Sequence, residues 1–523
     1  MKTAIFLSAC ASVLAAPDAS DKIQYLPGYG DLGNFPWYSG FLEYTLPGES
    51  TVISTHYLYA KQNTTAEPET NNLLFWSNGG PGASSLMGWF TELGPIQVND
   101  NSLLTDSYLQ TGIPTLFHNP TSWGNFGDLL IFDAPSPVGF SYCNGDPTVD
   151  GYACGDWDDE RASANNLAAL KSFYQKFPEL GGKDLYLSGE SYAGVYIPTF
   201  ARAILEDNDD NDDNDGNPIP LAGFAVGDAC SGTEVICGDN GQGPWWDMTF
   251  MYGHHQFSNK LYDEMISTCT EEALKHPTAE NPLTDECNGV LDRIYDAIGG
   301  YYSYALYDDC TYSNDLRRRM RGVHEKGGHA SWRLSRDSER AAGGQQQQQQ
   351  LPGGALNDYV CGGTGAMELY VHHPDVKEAW HLDPDAVFFM SDNGDGFNYN
   401  LTEANLMPFY RDLAVGKWKD LGVRVLVYNG DTDPGINSFA AQNWTASMGL
   451  EEVEEQRPWT LDECKRMGGY VTTYEGNFEF LTIRGAGHMV PTYKPEASYE
   501  FFGRFINGEK YKRYDPQCVA PPV

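Results

Sequence analysis

The segment Asp184 to Gly194, DLYLSGESYAG, constrains this chain more than any other. A short apolar run carrying Leu185 and Leu187 enters Gly189-Glu190-Ser191-Tyr192-Ala193-Gly194, and Val195 to Ile204 then reads as a helix. Strand, tight turn and helix follow one another, with a serine at the apex. Small residues two places before and after a serine let such a turn close and leave the hydroxyl standing above a sheet, as a nucleophile elbow requires. The common pattern is G-x-S-x-G. Here Ala193 fills the last position and Gly194 follows it. A glycine-flanked turn can also be only a turn, so the serine must be judged by its partners elsewhere.

Asn72 to Ser77 (NLLFWS) and Asp128 to Asp133 (DLLIFD) are continuous apolar runs of strand length, as buried parallel strands should be. A helix-like stretch from Glu160 to Phe177 precedes the strand before Ser191. The pattern returns at Arg424 to Tyr428 (RVLVY) and Phe478 to Ile483 (FEFLTI). Strands alternating with helices predict a mostly parallel sheet covered on both faces. Residues 229–368 differ, being rich in cysteine, aromatics and turn signals, and read as a cap inserted into the sheet domain. The expected organisation is a core over 17–228 and 369–523, with the cap between. Such a division suits a length of 523 residues.

Acidic side chains number 72 against 33 basic ones, so no basic surface is available to neutralise phosphates, and nucleic-acid binding is excluded. Lys2 and the apolar run from Ala4 to Ala16 read as a secretory signal over residues 1–16, and no later run approaches the length of a membrane span. Removing Cys10 with that signal leaves ten of the 11 cysteines, an even number that suits an oxidising compartment. Cys143 and Cys154 bracket a short loop and are plausible partners; the other pairings stay open. Sequons at Asn63, Asn400 and Asn443 fit a secreted protein.

Two polar stretches interrupt the pattern. Glu206 to Asn217 is an acidic run without the register of an EF-hand, and reads as a solvated loop. Leu316 to Arg340 carries seven arginines and one lysine, and Gln345 to Gln350 follows as pure glutamine. Residues 314–356 are therefore expected to form an exposed, disordered linker, easily cut by proteases during maturation to leave two disulfide-held chains.

An elbow serine needs a base, an orienting acid and an oxyanion hole. In α/β-hydrolases the chain order is serine, acid, histidine. Asp433 follows RVLVY in Asn429-Gly430-Asp431-Thr432-Asp433-Pro434-Gly435, and His488 follows the last strand in Gly485-Ala486-Gly487-His488-Met489-Val490-Pro491. Each lies at the carboxyl end of a predicted strand, where open α/β sheets carry their sites. Asn78-Gly79-Gly80-Pro81-Gly82 follows NLLFWS and offers backbone N–H groups, with that of Tyr192 as the second donor.

These segments together resemble the serine carboxypeptidases of the lysosomal, vacuolar and secreted kind, across nearly the whole mature chain. The resemblance runs through Trp76 to Leu86 (WSNGGPGASSL), Glu92-Leu93-Gly94-Pro95, Ser122-Trp123, Leu130 to Tyr142 (LIFDAPSPVGFSY), GESYAG, His372 to His381 (HHPDVKEAWH), NGDTD and GAGHMVP. It implies an α/β-hydrolase fold with helices on both faces and an inserted cap, and an exopeptidase working through an acyl-enzyme without a cofactor or metal. Ser191 would be the nucleophile, His488 the base and Asp433 its acid, Asp431 being passed over. Gly80 and Tyr192 would form the oxyanion hole. Asn78, Glu92 and Glu190, supported by Trp76, would bind the free carboxylate of a peptide or protein C-terminus, and Met489 would line the pocket.

Two acids can hold an anion only if a carboxyl is protonated and donates. A close pair shares protons, so substrate affinity is expected to fall as pH rises. Two departures from the family stand out: Ala83 replaces a common cysteine tied to the cap, and Pro434-Gly435 follows the catalytic aspartate. The pairs His254-His255 and His372-His373 fall in family structural segments, where adjacent histidines splay apart, which argues against a metal. An acyltransferase or esterase on the same scaffold is the alternative; retention of Asn78 and Glu190 favours the peptidase.

Overall fold

The computed structural model describes residues 19–33, 35–148, 154–211, 218–237, 243–277, 281–308, 310, 359–390, 397–462 and 464–518. The signal segment 1–16 and the linker 314–356 lie outside them, as does 212–217 of the acidic run.

Ten strands build the main sheet: β1 (Trp37–Tyr44), β2 (Ile53–Ala60), β3 (Asn72–Ser77), β4 (Asp128–Phe132), β5 (Asp184–Glu190), β6 (Leu221–Gly227), β7 (Arg424–Gly430), β8 (Glu452–Thr460), β9 (Met467–Tyr474) and β10 (Phe478–Ile483). A two-residue strand, Tyr142–Cys143, pairs beside β2 as the eleventh. The order is β1-β2-β4-β3-β5-β6-β7-β10-β9-β8. The six strands from β4 to β10 run parallel, and antiparallel pairs flank them on both sides.

Burial on both faces explains the uninterrupted apolar runs. Along β3, Leu73 and Phe75 enter one core while Leu74 and Trp76 enter the other. Because strand side chains alternate, both faces of its interior are apolar, and the polar Asn72 and Ser77 fall at its two ends. Helices α2 (Asp159–Lys176) and α3 (Ala193–Asn211) cover the first core, and α1 (Leu86–Thr91) and α8 (Pro495–Asn507) cover the second. Asp158 caps α2 by accepting the Arg161 N–H at 2.8 Å, and Ala162, Ala169, Leu170 and Phe173 form its buried face.

Between the halves, α4 (Trp245–Gly253), α5 (Asn259–Thr268) and α6 (Asp285–Ile298) enclose a third apolar core around Met248, Phe250, Met265 and Ile294. The Cys269–Cys287 disulfide lies inside it. Helix α7 (Gly363–Val371), which straddles the expected cap boundary, instead packs Ala366, Met367 and Tyr370 into the second sheet core. The remaining disulfides are Cys143–Cys154, Cys230–Cys237, Cys310–Cys361 and Cys464–Cys518. Without a cysteine at Ala83, the cap is fastened by other means. The Leu306 N–H donates to Thr432 O at 2.9 Å, and the His488 N–H to Tyr304 O at 2.7 Å. One cap segment is thereby stitched to both candidate catalytic loops.

Candidate active site

Ser191 sits between β5 and α3 at φ +65°, in the left-handed region that a tight elbow demands. Its N–H donates to Gly227 O at 3.0 Å, and its carbonyl accepts the Gly194 and Cys230 N–H groups at 2.9 and 3.0 Å. The turn closes only because its neighbours lack bulk. A Cβ on Gly194 would stand 2.3 Å from Cys230 O, and one on Gly189 would stand 2.5 Å from Ser77 O. The requirement for glycine thus falls at Gly194, and Ala193 is accommodated. A Cβ on Gly79 would meet the Tyr192 nitrogen at 2.4 Å, so the glycine loop after β3 lies directly against the elbow. Gly80 follows it at φ +112°.

His488 and Asp433 arrive from the ends of β10 and β7. His488 Nδ1 and Asp433 Oδ2 are 2.7 Å apart, both residues being buried. The departure at Pro434-Gly435 supports this acid: Gly435 and Ile436 donate backbone N–H groups to its two oxygens at 2.8 and 3.3 Å. Asp431 instead accepts the Gly485 N–H at 2.6 Å. The Tyr304 ring packs 5.1 Å from that of His488, and Met489 packs half-buried against the second core.

Beside the elbow lies a buried acid pair. The Asn78 side-chain amide donates to Glu92 at 3.1 Å and to Glu190 at 3.0 Å. Its own oxygen accepts Trp76 Nε1–H at 2.8 Å and the Gly88 N–H at 2.9 Å, which fixes the amide orientation. Gly88 permits this contact, since a Cβ there would be 2.2 Å from Trp76 Nε1. Burial pushes Glu92 up to about 7. Burial raises Glu190 well above the ordinary carboxyl range, and the neighbouring Glu92, Asp228 and Asp433 charges raise it further. Both carboxyls bond the same Asn78 amide, and each keeps a second oxygen buried without a partner, so the pair holds a proton at acid pH.

Sequence reasoning missed Asp228. It follows β6, a strand not anticipated, just as Asp431 follows β7; the run LAGFAVG ending in Gly-Asp was the available signal. Among the described residues, Asp228, Asp433 and His488 are the histidine and acid group whose donor atoms, all within 4.8 Å, gather closely enough for a metal. The His488–Asp433 hydrogen bond already uses two of these groups for each other. The paired histidines point elsewhere: His254 and His372 bond to carbonyls of their own helices, and His373 caps the following one. Asn400 and Asn443 are exposed, whereas Asn63 is 7 % exposed and bonded to Thr65.

A second serine–histidine–aspartate chain shows why geometry needs access. Ser39 Oγ lies 3.0 Å from His56 Nε2, and His56 Nδ1 lies 2.7 Å from Asp133. All three are wholly buried, and the Ser39 hydroxyl donates to Trp380 O at 3.0 Å. This chain ties β1, β2 and the end of β4 together, with no face open to a substrate.

The fold and the elbow define an α/β-hydrolase. A family model described as serine carboxypeptidase matches residues 27–508. Serine carboxypeptidase ctsa-4.1 of Caenorhabditis elegans is 30% identical over 520 residues, covering 97% of each chain. The lysosomal protective protein of Mus musculus is 30% identical over 507 residues and 95% of each chain. A prohormone-processing carboxypeptidase from Saccharomyces cerevisiae, 20% identical, shares the fold with a TM-score of 0.65 over 94% of this chain and 97% of that one. The chain belongs to the serine carboxypeptidase family. Among the described residues, no helix is long and apolar enough to cross a membrane.

Proposed function

We propose that this carboxypeptidase releases single residues from peptide C-termini at acid pH through an acyl-enzyme on Ser191. Ser191 Oγ attacks the last peptide carbonyl while His488 takes its proton, held by Asp433 on the opposite ring nitrogen. The N–H groups of Tyr192 and Gly80 receive the developing oxyanion. His488 returns the proton to the departing amino acid, and water then hydrolyses the ester by the reverse sequence. Asn78, Glu92 and Glu190, backed by Trp76, hold the substrate carboxylate.

The observation that carries this reading is the buried Asn78–Glu92–Glu190 cluster, whose last member immediately precedes Ser191. An esterase has no need of proton-holding acids at that place. Ten cysteines in five disulfides and the lysosomal protective protein as a relative support a secreted or lysosomal setting, with glycans on the exposed Asn400 and Asn443. The test compares a blocked dipeptide with its C-terminal amide near pH 5. The free acid should turn over about tenfold faster or more, and Ser191→Ala should abolish both reactions. Equal turnover of acid and amide would overturn the carboxylate site.

A further inference from the structure

Asp228 lies wholly buried behind the catalytic pair, at φ +41°, with its N–H donating to Tyr428 O at 2.8 Å. Its oxygens accept from Asn429 Nδ2 at 3.1 Å and from the Gly430 N–H at 3.0 and 3.2 Å. An oxygen of the same carboxyl lies within 4.8 Å of an oxygen of Asp433. Two buried carboxylates this close oppose one another unless one of them holds a proton and can donate it to the other. Asp433 faces His488 and takes two backbone N–H groups besides, which makes it the better-stabilised anion. The proton therefore belongs on Asp228.

We propose that Asp228 is a positioning residue whose protonated carboxyl donates to Asp433, fixing that carboxylate against His488 without adding a second negative charge. The inference rests on the triad reading given above. The titratable groups facing Asp228 are Asp433 and His488 from their loops, Glu190 from β5 and Tyr428 from β7. Of these the Asp433 carboxylate carries the opposing charge, so an ionised Asp228 would be opposed by it as well as by burial. Burial is the larger influence holding it well above the ordinary carboxyl range, with the Asp433 charge second. The consequence is chemical. A base that works in acid must stay unprotonated there, and a second carboxylate behind His488 would raise its proton affinity. A neutral donor orients Asp433 and weakens its pull on the imidazolium proton.

The test is the rate at which a serine-directed phosphonate labels Ser191, followed from about pH 4 to about pH 8, because labelling reads the triad whatever the natural substrate. Asp228→Asn keeps a neutral donor and tolerates the left-handed backbone. It should label within ~3-fold of the parent with the same acid-limb midpoint. Asp228→Gly also accepts that backbone but removes the donor. It should label ~10-fold slower or worse, with the acid limb moved upward, and should lower kcat for a blocked dipeptide with KM unchanged. An acid limb lowered by about one pH unit in Asp228→Asn would mean an ionised Asp228 and would overturn the proposal. So would an Asp228→Gly enzyme identical to the parent. If Asp228→Gly fails to fold, the Asp228→Asn midpoint decides alone. Failure of the parent to label would remove the triad, and this inference with it. Labelling without release of C-terminal residues would overturn the peptidase reading and leave Asp228 to be judged by these profiles.

Discussion

Glu190 stands one place before the candidate nucleophile, with its carboxyl bonded to the Asn78 amide that also bonds Glu92. A protonated member of this pair can donate to a substrate carboxylate, and an ionised pair repels it. Glu92 ionises through about 7, so KM for a blocked dipeptide should rise about tenfold between pH 5 and pH 8. Glu92→Gln retains a donor and removes the titration near 7. Its KM should stay within ~3-fold across the same range, as steady-state kinetics would show. An unchanged pH dependence in the variant would place the titration elsewhere. The meeting of His488 with Asp433 was legible at residue level, because glycine-rich loops at strand ends announced Ser191, Asp433 and His488. The elbow's tight packing was less legible. The motif puts a small residue at Ala193, while the contact with Cys230 O that forbids a Cβ is made by Gly194. Gly194→Ala should therefore destabilise the fold by roughly 2 kcal/mol or more and abolish labelling of Ser191, measured by denaturant unfolding and phosphonate uptake.

The elements that sequence reasoning found are those buried on both faces. NLLFWS and FEFLTI coincide with β3 and β10, because strands under two layers of helix are mostly apolar, the polar positions falling at the ends of β3 and at the half-buried Glu479 and Thr482 of β10. The ones it missed break that rule for physical reasons. β2 is buried along its length yet carries Ser54, Thr55 and His56, of which Thr55 bonds the Tyr44 hydroxyl and His56 bonds Asp133. β8 lies at the sheet edge and reads as charged, EVEEQRPWT. The linker expectation belongs to this scale as well. Of the five disulfides, only Cys310–Cys361 crosses residues 314–356. Limited trypsin treatment should cut at the arginines there and give one band without reductant and two with it, while Ser191 labelling persists. A single band under reducing conditions would show the segment to be protected.

At the scale of the whole molecule, the buried acids make stability a function of pH. Glu92 rises from an ordinary 4.5 to about 7 on folding, and burial also raises Glu190 and Asp228 well above the ordinary carboxyl range. The folded chain therefore binds more protons than the unfolded chain between those values. Stability is fully present below about 4.5 and is lost as pH climbs through about 7, by roughly 3 kcal/mol for Glu92 alone. Glu49, lowered chiefly by its hydrogen bonds from Arg161, acts in the opposite sense, its contribution fading as pH falls below the carboxyl range. Together they place the maximum in mild acid, in line with the acid-pH activity proposed above. A formal charge of -39 at pH 7 also disfavours the folded state as pH rises, through surface repulsion. Salt separates the two causes, because it screens exposed charges far better than buried ones. The melting temperature should fall by several degrees between about pH 4.5 and about pH 7.5, and most of that fall should persist in ~0.5 M salt. The double variant Glu92→Gln, Glu190→Gln should flatten the salt-resistant part. A decline that vanishes in salt, or one equally steep in the double variant, would assign the pH dependence to the surface and take the proton-holding pair out of the stability of this fold.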